Sequence, residues 1–350
     1  MIDLTKSSKA SASVHSVPGD PGRCWSKDLA IVLDAPPDAD PCPLPNATWS
    51  PAAVRTGVCG VVSPRVIRLN GGGYRMYYTQ ILPQPGFPAG ANDYDHSNTR
   101  ILSAFSADGE SWQVEAGVRL SPADVGADVL RVVSSEVVPT GDPTQLRMYF
   151  ECSAGPQSMS NSIRSAISID QGLTWSLEAG IRLQADGCNL SSPRIQFLDQ
   201  GGCRLYCYER GVGIISAVAD EAGLSFQREP GVRVSQDGPF DRHVAFAPEI
   251  LRSSERPNYI MYYAGYRDAN RAFVLRAVSD DGLSWSKEQQ PVINPGPTGW
   301  DAAKCSEMCV IQLPPGTGKL PNYRMFYEAC DGTAPNERGV WRIASATTST

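Results

Sequence analysis

The stretch Tyr74-Arg75-Met76-Tyr77-Tyr78 decides the fold, because its pattern of aromatic and aliphatic residues returns four more times along the 350-residue chain. A short run of bulky and aromatic residues is typical of a half-buried β-strand. The other copies occupy residues 146–150, 203–207, 259–263 and 323–327. The chain is therefore predicted to consist of five strand-rich repeats.

Shorter patterns before and after this strand complete each repeat. A small-residue strand, a tight Asp/Gly turn and an aromatic residue follow it, as in residues 106–112 and 168–175. The pattern Ser63-Pro64-Arg65-Val66 precedes its first copy, and the third residue of that pattern recurs after 71, 58, 55 and 58 residues. About four strands per repeat at this period predict an all-β fold, a five-bladed β-propeller with four-stranded antiparallel blades.

The missing end of the fifth repeat is found near the N-terminus. The fifth repeat lacks a last strand, whereas Trp25-Ser26-Lys27 repeats Trp285-Ser286-Lys287 from the fourth. We expect the N-terminal strand to complete the last blade and close the ring, since an open array would leave an exposed sheet edge. Residues 20–350 then form a single propeller domain, and the small, polar residues 1–19 form a disordered tail.

Composition and charge exclude two classes of partner. The chain has 32 Gly and 28 Pro, and only 19% of its residues are charged, which favours a turn-rich β protein. Its formal net charge is −6, so no basic field is available for a nucleic acid or an anionic membrane. Neither a membrane-spanning apolar run nor a signal-like N-terminus is found, which predicts a cytoplasmic location and reduced cysteines. The oligomeric state stays open.

Several motifs resemble those of the five-bladed β-propeller glycosidase superfamily, which includes arabinanase- and xylosidase-like enzymes, invertase and levansucrase relatives and mannoside phosphorylases. They are Gly299-Trp300-Asp301, the Pro-x-Ile/Val strands, the Met-Tyr-Tyr strands and the Ser-x-Asp-Gly turns, within residues 20–348. The resemblance implies a glycoside hydrolase-like or phosphorylase-like enzyme that acts on a small glycoside in a central pocket. It identifies the architecture better than the reaction, because one fold hosts several reactions.

One position of the repeat is predicted to converge on the propeller axis. In chain order it reads Arg65, Glu136, Arg194, Glu249 and Glu307. Buried charges are costly unless they are paired or used, so we interpret this set as a catalytic centre. Glycoside hydrolysis needs one protonated and one ionised carboxyl group. Glu249 is the predicted general acid, with Glu136 or Glu307 as the base or as a partner that sets its pKa. The alternative is a ring of Arg–Glu ion pairs that plugs the channel.

The resemblance also predicts an Asp immediately before the proline of the inner strands, and this chain departs from it. The corresponding residues are Ser63, Ser135, Ser192 and Ala247. Two alternatives therefore stay open, a non-hydrolytic acid/base enzyme such as a lyase, isomerase or cyclase, and a non-catalytic sugar-binding propeller. Arg65 and Arg194 resemble arginines of the mannoside phosphorylases that hold an oxyanion such as phosphate, so both are predicted to bind substrate.

Further substrate contacts are predicted at the rim, since loops at strand ends carry function. The candidates in the loops before the inner strands are Asp128, Asp241, His243 and Asp301, and those in the long loops of the first repeat are Trp49, Asp93, Tyr94 and His96. Loop capping is the alternative role for the aspartates. No cofactor is predicted, and a single calcium ion held by rim aspartates stays open.

Overall fold

The structure of the protein, a computed structural model, describes residues 16–17, 19–34, 59–83, 97–155, 160–313, 322–332 and 340–348. Within these ranges the regular elements are β-strands, apart from one short helix, α1 (Pro122–Val125). No helix in these ranges is long and apolar enough to cross a membrane. The candidates Trp49, Asp93, Tyr94 and His96 lie outside the described residues, as does most of the predicted tail.

Each repeat contributes three long strands, and most repeats add short outer ones. Two short strands precede them, β1 (Ser16–Val17) and β2 (Trp25–Lys27). The first repeat holds β3 (Cys59–Arg68), β4 (Tyr74–Pro83), β5 (Ser97–Ser106) and β6 (Gln113–Val114). The second holds β7 (Arg131–Pro139), β8 (Leu146–Ser153), β9 (Asn161–Ser168), β10 (Ser176–Leu177) and β11 (Leu183–Gln184). The third holds β12 (Leu190–Phe197), β13 (Cys203–Glu209), β14 (Gly213–Ala219), β15 (Gln227–Arg228) and β16 (Val234–Ser235). The fourth holds β17 (Val244–Ser253), β18 (Tyr259–Asp268), β19 (Arg271–Ser279) and β20 (Ser286–Lys287), and the fifth β21 (Lys304–Leu313), β22 (Asn322–Cys330) and β23 (Val340–Thr348).

Pairing within a repeat is antiparallel from the first strand outward. In the first repeat Tyr77 of β4 lies between Arg65 of β3 and Ser103 of β5, and β6 pairs with β5. In the fifth repeat β2 takes the outer place, because Trp25 pairs with Thr348 of β23. The N-terminal strand therefore adds to the last repeat, at the position that the sequence repeat predicts.

Aromatic residues of the second strand tie each repeat to the next. Tyr77 donates a hydrogen bond to Gly172 O in the turn of the second repeat, and its ring meets Trp175 edge-on. Equivalent edge-on pairs are Tyr149–Phe226, Tyr206–Trp285, Tyr262–Trp25 and Phe326–Trp112. The fourth pair uses the N-terminal segment, and the fifth joins the last repeat to the first. The aromatic strands thus build the contacts between repeats as well as the repeats themselves.

The first long strand of each repeat, called the inner strand below, contacts the inner strands of its neighbours. These strands are β3, β7, β12, β17 and β21, and β21 in turn contacts β3. Each inner strand contains one bulge. In four of these strands the bulge includes one non-glycine residue in a left-handed conformation, with φ of 52–55°: Ser63, Ser134, Ser192 and Ala247. Such strain is found where the surroundings hold it in place. The structure also corrects the predicted set of residues before the inner-strand proline position. In the second repeat the equivalent of Ser63 is Ser134 and not Ser135.

Outer arginines and glutamates form a second repeated arrangement, called the peripheral clusters below. In the second repeat Arg147 of β8 pairs with Glu178, which also accepts a hydrogen bond from Ser165 of β9. The same three residue types recur as Arg75–Glu115–Ser103 and Arg204–Glu229–Ser216. These clusters tie the short outer segment to the second and third strands.

Candidate active site

Four of the five predicted ring residues meet where the inner strands converge. Arg65 Nε lies 2.6 Å from a Glu136 oxygen, and Arg65 Nη1 lies 2.9 Å from Glu249. Arg194 continues the network, with Nε 3.4 Å from Glu249 and Nη2 3.0 Å from Glu307. The side chains of all five residues are at most 2% exposed. The predicted convergence is therefore present, and so is the pairing that the plug alternative predicts. The catalytic roles of these residues stay predictions.

The fifth position of this ring is occupied by Cys309 and not by Glu307. Glu249 accepts a hydrogen bond from Val310 N of the next repeat at 3.0 Å. Cys309 Sγ accepts the equivalent bond from Val66 N at 3.3 Å. The ring layer is thus completed by a thiol, and Glu307 belongs to another layer.

A shifted bulge explains this difference. In the other four inner strands, the residue that follows the bulge is the ring residue itself. In β21 the residue after the bulge is Met308, so the ring position comes one residue later. Glu307 therefore lies inside the bulge, two residues before Cys309, as Ser63 lies two residues before Arg65. A carboxylate stands in the fifth repeat at the level where the other repeats carry serine or alanine.

Excess negative charge distinguishes the centre electrostatically. Three carboxyl groups share two guanidinium groups there. Burial raises the pKa of Glu136 to about 7 and nearby Glu249 acts in the same direction, although Arg65 and Arg194 oppose the shift. Glu136 is thus a buried carboxyl group that exchanges a proton near neutral pH.

Glu307 is held by hydroxyl and guanidinium donors. Its Oε2 accepts hydrogen bonds from Ser63 Oγ at 2.9 Å and Ser134 Oγ at 3.1 Å, and its Oε1 accepts one from Arg194. Hydrogen bonds from a cation and from hydroxyl groups favour the ionised form of a carboxyl group. Glu307 is therefore a fully buried carboxyl group with three hydrogen-bond donors around it.

A second buried carboxylate beside Glu307 was not found from the sequence. Glu328 of β22 accepts hydrogen bonds from Ser63 N at 2.8 Å and Ser306 Oγ at 2.7 Å. It follows the aromatic strand directly, and its equivalent in the first repeat is Thr79, which accepts a bond from Ser134 N. The signal in the sequence is a charged residue directly after the Tyr323–Tyr327 pattern, outside the inner strands.

The rim aspartates Asp241 and Asp301 are each bound by one residue of their own loop and by a tyrosine and a lysine of nearby strands. Asp241, 1% exposed, accepts hydrogen bonds from Gly238 N, Tyr263 Oη and Lys287 Nζ. Asp301 has the same kinds of partner, namely Gly296 N, Tyr327 Oη and Lys27 Nζ. These contacts account for the repeated Trp-Ser-Lys motif, whose lysine reaches the aspartate. A role of either aspartate in substrate binding stays a prediction.

The remaining described candidates, Asp128 and His243, have fewer contacts than the two buried aspartates. Asp128 is exposed in the segment between α1 and β7. His243 is half-buried, and burial lowers its pKa although Asp268 opposes the shift. Its Nε2 has no hydrogen-bond partner among the described residues. A cavity of about 530 Å³ lies apart from the ring, beside Trp25, Trp300 and the N-terminal strand.

The described residues include no cluster of three or more His, Cys, Asp or Glu side chains with metal-binding geometry. Eight of the cysteines in these ranges are free thiols, namely Cys24, Cys152, Cys188, Cys203, Cys207, Cys305, Cys309 and Cys330. Cys309 belongs to the ring, where burial raises the pKa of its thiol to about 12. A neutral thiol adds no charge to the centre.

Comparison with known proteins places the fold. No family model and no curated protein matches the sequence. One solved structure, described as a glycoside hydrolase, matches with a TM-score of 0.65 at 14% identity, over 93% of this chain and 92% of that chain. A thermostable family-43 glycoside hydrolase matches with a TM-score of 0.62 at 14% identity, over 82% and 90% of the two chains. The chain has the fold of the propeller glycosidases.

A third propeller glycosidase comes from work on the GH130 family of mannoside phosphorylases, described as containing glycoside hydrolases that target β-1,2 mannosidic linkages. It matches with a TM-score of 0.59 at 13% identity, over 93% of this chain and 96% of that chain. At such identities the likeness to propeller glycosidases shows the fold alone, so the reaction has to be argued from the site.

Proposed function

We propose that the protein is a glycoside hydrolase-like, carbohydrate-active enzyme that acts on a small glycoside where the inner strands meet, by carboxylate acid/base chemistry. The observation that carries this proposal is the position of Glu307. It supplies a carboxylate in the bulge layer, the level at which the resemblance predicts catalytic aspartates. Arg194, Ser63 and Ser134 all donate hydrogen bonds to it.

We also propose that the five repeats are five blades of one closed propeller spanning residues 20–350. Support comes from the contact between β21 and β3 and from the edge-on pair of Phe326 and Trp112, which both join the last repeat to the first. Pairing of β2 with β23 supports closure of the last blade by the N-terminal strand. This arrangement gives the five inner strands a common axis.

The two roles of a glycosidase are assigned to carboxyl groups with different surroundings. Glu307 is the base or nucleophile, because its donors favour the ionised form. Glu136, whose pKa is raised to about 7, is the group that holds a proton. Glu249 raises the pKa of Glu136 and is its partner. This assignment replaces the expectation that Glu249 is the acid.

Ligand binding without turnover is the second candidate function, and one observation favours it. The ring side chains are at most 2% exposed and pair with one another. A ring of this kind stabilises the centre of the fold without contacting a substrate. A bound sugar would then be recognised by residues outside the ring.

Turnover of a panel of aryl glycosides, with and without inorganic phosphate, tests the proposal. We expect Glu307→Gln to lower kcat on the order of 100-fold or more, as removal of an acid/base group does. Glu178→Gln is the matched control, because it alters an Arg–Glu–Ser cluster at the periphery. Equal rates for the wild type and Glu307→Gln would overturn the assignment. Tight sugar binding with no turnover, unaffected by Glu307→Gln, would favour the second candidate.

A further inference from the structure

A continuous chain of hydrogen-bonding groups extends from Glu307 through the fifth repeat. Ser63 Oγ lies 2.9 Å from Glu307 Oε2 and 3.5 Å from Glu328 Oε1, so one hydroxyl group contacts both carboxyl groups. On its other oxygen, Glu328 accepts a hydrogen bond from Ser306 Oγ at 2.7 Å. Ser306 Oγ in turn accepts one from Tyr266 Oη at 3.2 Å. Four consecutive contacts therefore join five side chains.

The groups in this chain are of the kinds that pass protons. A hydroxyl group both donates and accepts, and a carboxyl group does both when it is protonated. Glu307, Glu328 and both serines are at most 1% exposed. Two neighbouring buried carboxylates repel each other, so a proton that enters the pair at Glu307 lowers the cost of burying either of them.

We propose that Ser63 and Glu328 form a proton relay for Glu307. Ser306 and Tyr266 extend this relay from Glu328 toward the N-terminal ends of the inner strands. The relay rests on the proposed function, in which Glu307 takes a proton during turnover. Glu328 is in this respect a positioning and proton-carrying residue, and it does not contact the substrate.

Each transfer conserves atoms and charge. When Glu307 becomes protonated, its proton passes to Ser63 Oγ while the Ser63 hydroxyl proton passes to Glu328 Oε1. The negative charge thereby returns to Glu307, and Glu328 becomes neutral. Rotation of the Ser63 hydroxyl group then restores its first orientation, and Glu328 becomes ionised again when the proton returns to Glu307 by the reverse of these two transfers. No oxidant or reductant takes part.

Lys304 places a positive charge beside the far end of the relay. Its Nζ lies 6.0 Å from the centre of the Tyr266 ring and 5.5 Å from that of Trp341, within the range of cation–π contacts. Lys304 therefore lies beside the Tyr266 end of the relay, at the start of the inner strand β21.

Ser134 offers a matched control for Ser63. Both hydroxyl groups donate to Glu307, and both residues adopt the same left-handed backbone. Within the part of the chain that the structure describes, the Ser134 side chain has no hydrogen bond to Glu328. Ala247 has the same backbone conformation in the fourth repeat, with φ of 52°, so alanine is compatible with this position.

The first experiment needs no substrate. Infrared difference spectra are recorded during a pH titration of the wild type, Ser63→Ala, Ser134→Ala and Glu328→Gln. We expect the wild type and Ser134→Ala to show two carboxyl bands that change together over one pH range, and Ser63→Ala to separate them. Glu328→Gln removes one band and keeps the shape of the side chain. Independent titration of the two bands in the wild type, or equal spectra for both alanine variants, would overturn the relay.

The second experiment uses whichever glycoside the wild type turns over. We expect Ser63→Ala and Glu328→Gln to lower kcat on the order of 10-fold with little change in KM, and to enlarge the solvent isotope effect. Ser134→Ala also removes a donor from Glu307 and a contact of Ser63, so its kcat falls too, but it keeps the isotope effect of the wild type because Glu328 is untouched. Glu178→Gln, at a peripheral cluster, is the control that leaves both kcat and the isotope effect unchanged. Coupled bands without any turnover would reject the proposed function and keep the proton pair, whereas turnover with uncoupled bands would reject the relay alone.

Discussion

The central ring and the peripheral clusters use the same residue types in opposite ways. At the periphery, Glu115 is about one-fifth exposed, pairs with Arg75 through two hydrogen bonds and lies near Arg119. Burial opposes ionisation there, but the hydrogen bonds from Arg75 and Ser103 prevail and lower the pKa of Glu115. At the centre, Glu136 is fully buried and its pKa is raised.

Stoichiometry and burial explain the contrast. The peripheral carboxylate has two arginines nearby, whereas three central carboxylates share two guanidinium groups. Where cations are in excess, the glutamate of an Arg–Glu pair stays ionised and the pair stabilises the fold. Where anions are in excess, the glutamate can take up a proton. Residue type alone does not distinguish the two roles; the depth of burial does so first, and the neighbouring charge of Glu249 adds to it.

Removal of one arginine from each region should give the largest contrast. Arg194→Met leaves Glu307 and Glu249 without a shared buried cation, and we expect a loss of about 3–5 kcal/mol in the free energy of unfolding. Arg147→Met, at a peripheral cluster, should cost about 1 kcal/mol. Urea denaturation of both variants checks the difference. Similar losses would show that burial does not separate the two regions.

Stability as a function of pH should differ in sign between the two regions. Glu136 has a raised pKa, so between about pH 4.5 and 7 the unfolded chain loses a proton that the folded chain keeps. Its contribution to stability is therefore complete below that range and falls by about 3 kcal/mol across it as the pH rises. We expect Glu136→Gln to flatten this decline in urea unfolding curves measured at pH 4.5, 6 and 7.5. A decline that is unchanged in Glu136→Gln would assign it to another group.

The peripheral carboxylates should give the smallest effect. Burial raises the pKa of Glu178, but hydrogen bonds from Arg147 and Ser165 outweigh it and lower the pKa overall. Its contribution is present above the unfolded-state pKa and is lost as the pH falls. Glu178→Gln should therefore cost about 1 kcal/mol at pH 7 and less at pH 3. A cost that grows toward pH 3 would contradict the lowered pKa.

Sequence periodicity predicts much of this arrangement because it reports on strand spacing. The five repeats, the pairing of Trp25–Lys27 with the last repeat and the convergence of Arg65, Glu136, Arg194 and Glu249 all follow from spacing alone. Glu307 does not, because a bulge shifted by one residue moves a side chain to another layer without changing the repeat length. Recognition of such a shift requires the pairing partner of each residue.

Glu328 shows a second limit of the sequence. It lies on the strand beside the inner strand, and it reaches Ser63 only because the last repeat packs against the first. A contact between residues separated by 265 positions is set by the closure of the fold. The aromatic pattern that identifies β22 gives no information about which residue Glu328 contacts.

The pairing of β2 with β23 has a consequence for synthesis of the chain. Trp25 emerges early from the ribosome, and its partner Thr348 emerges more than three hundred residues later. Until Thr348 is made, β2 has no partner strand, and until β2 pairs, the outer edge of β23 is exposed. Contacts of such long sequence separation form slowly. We therefore expect the pairing of β2 with β23 to be the final step of folding, and the chain to be most prone to aggregation before it.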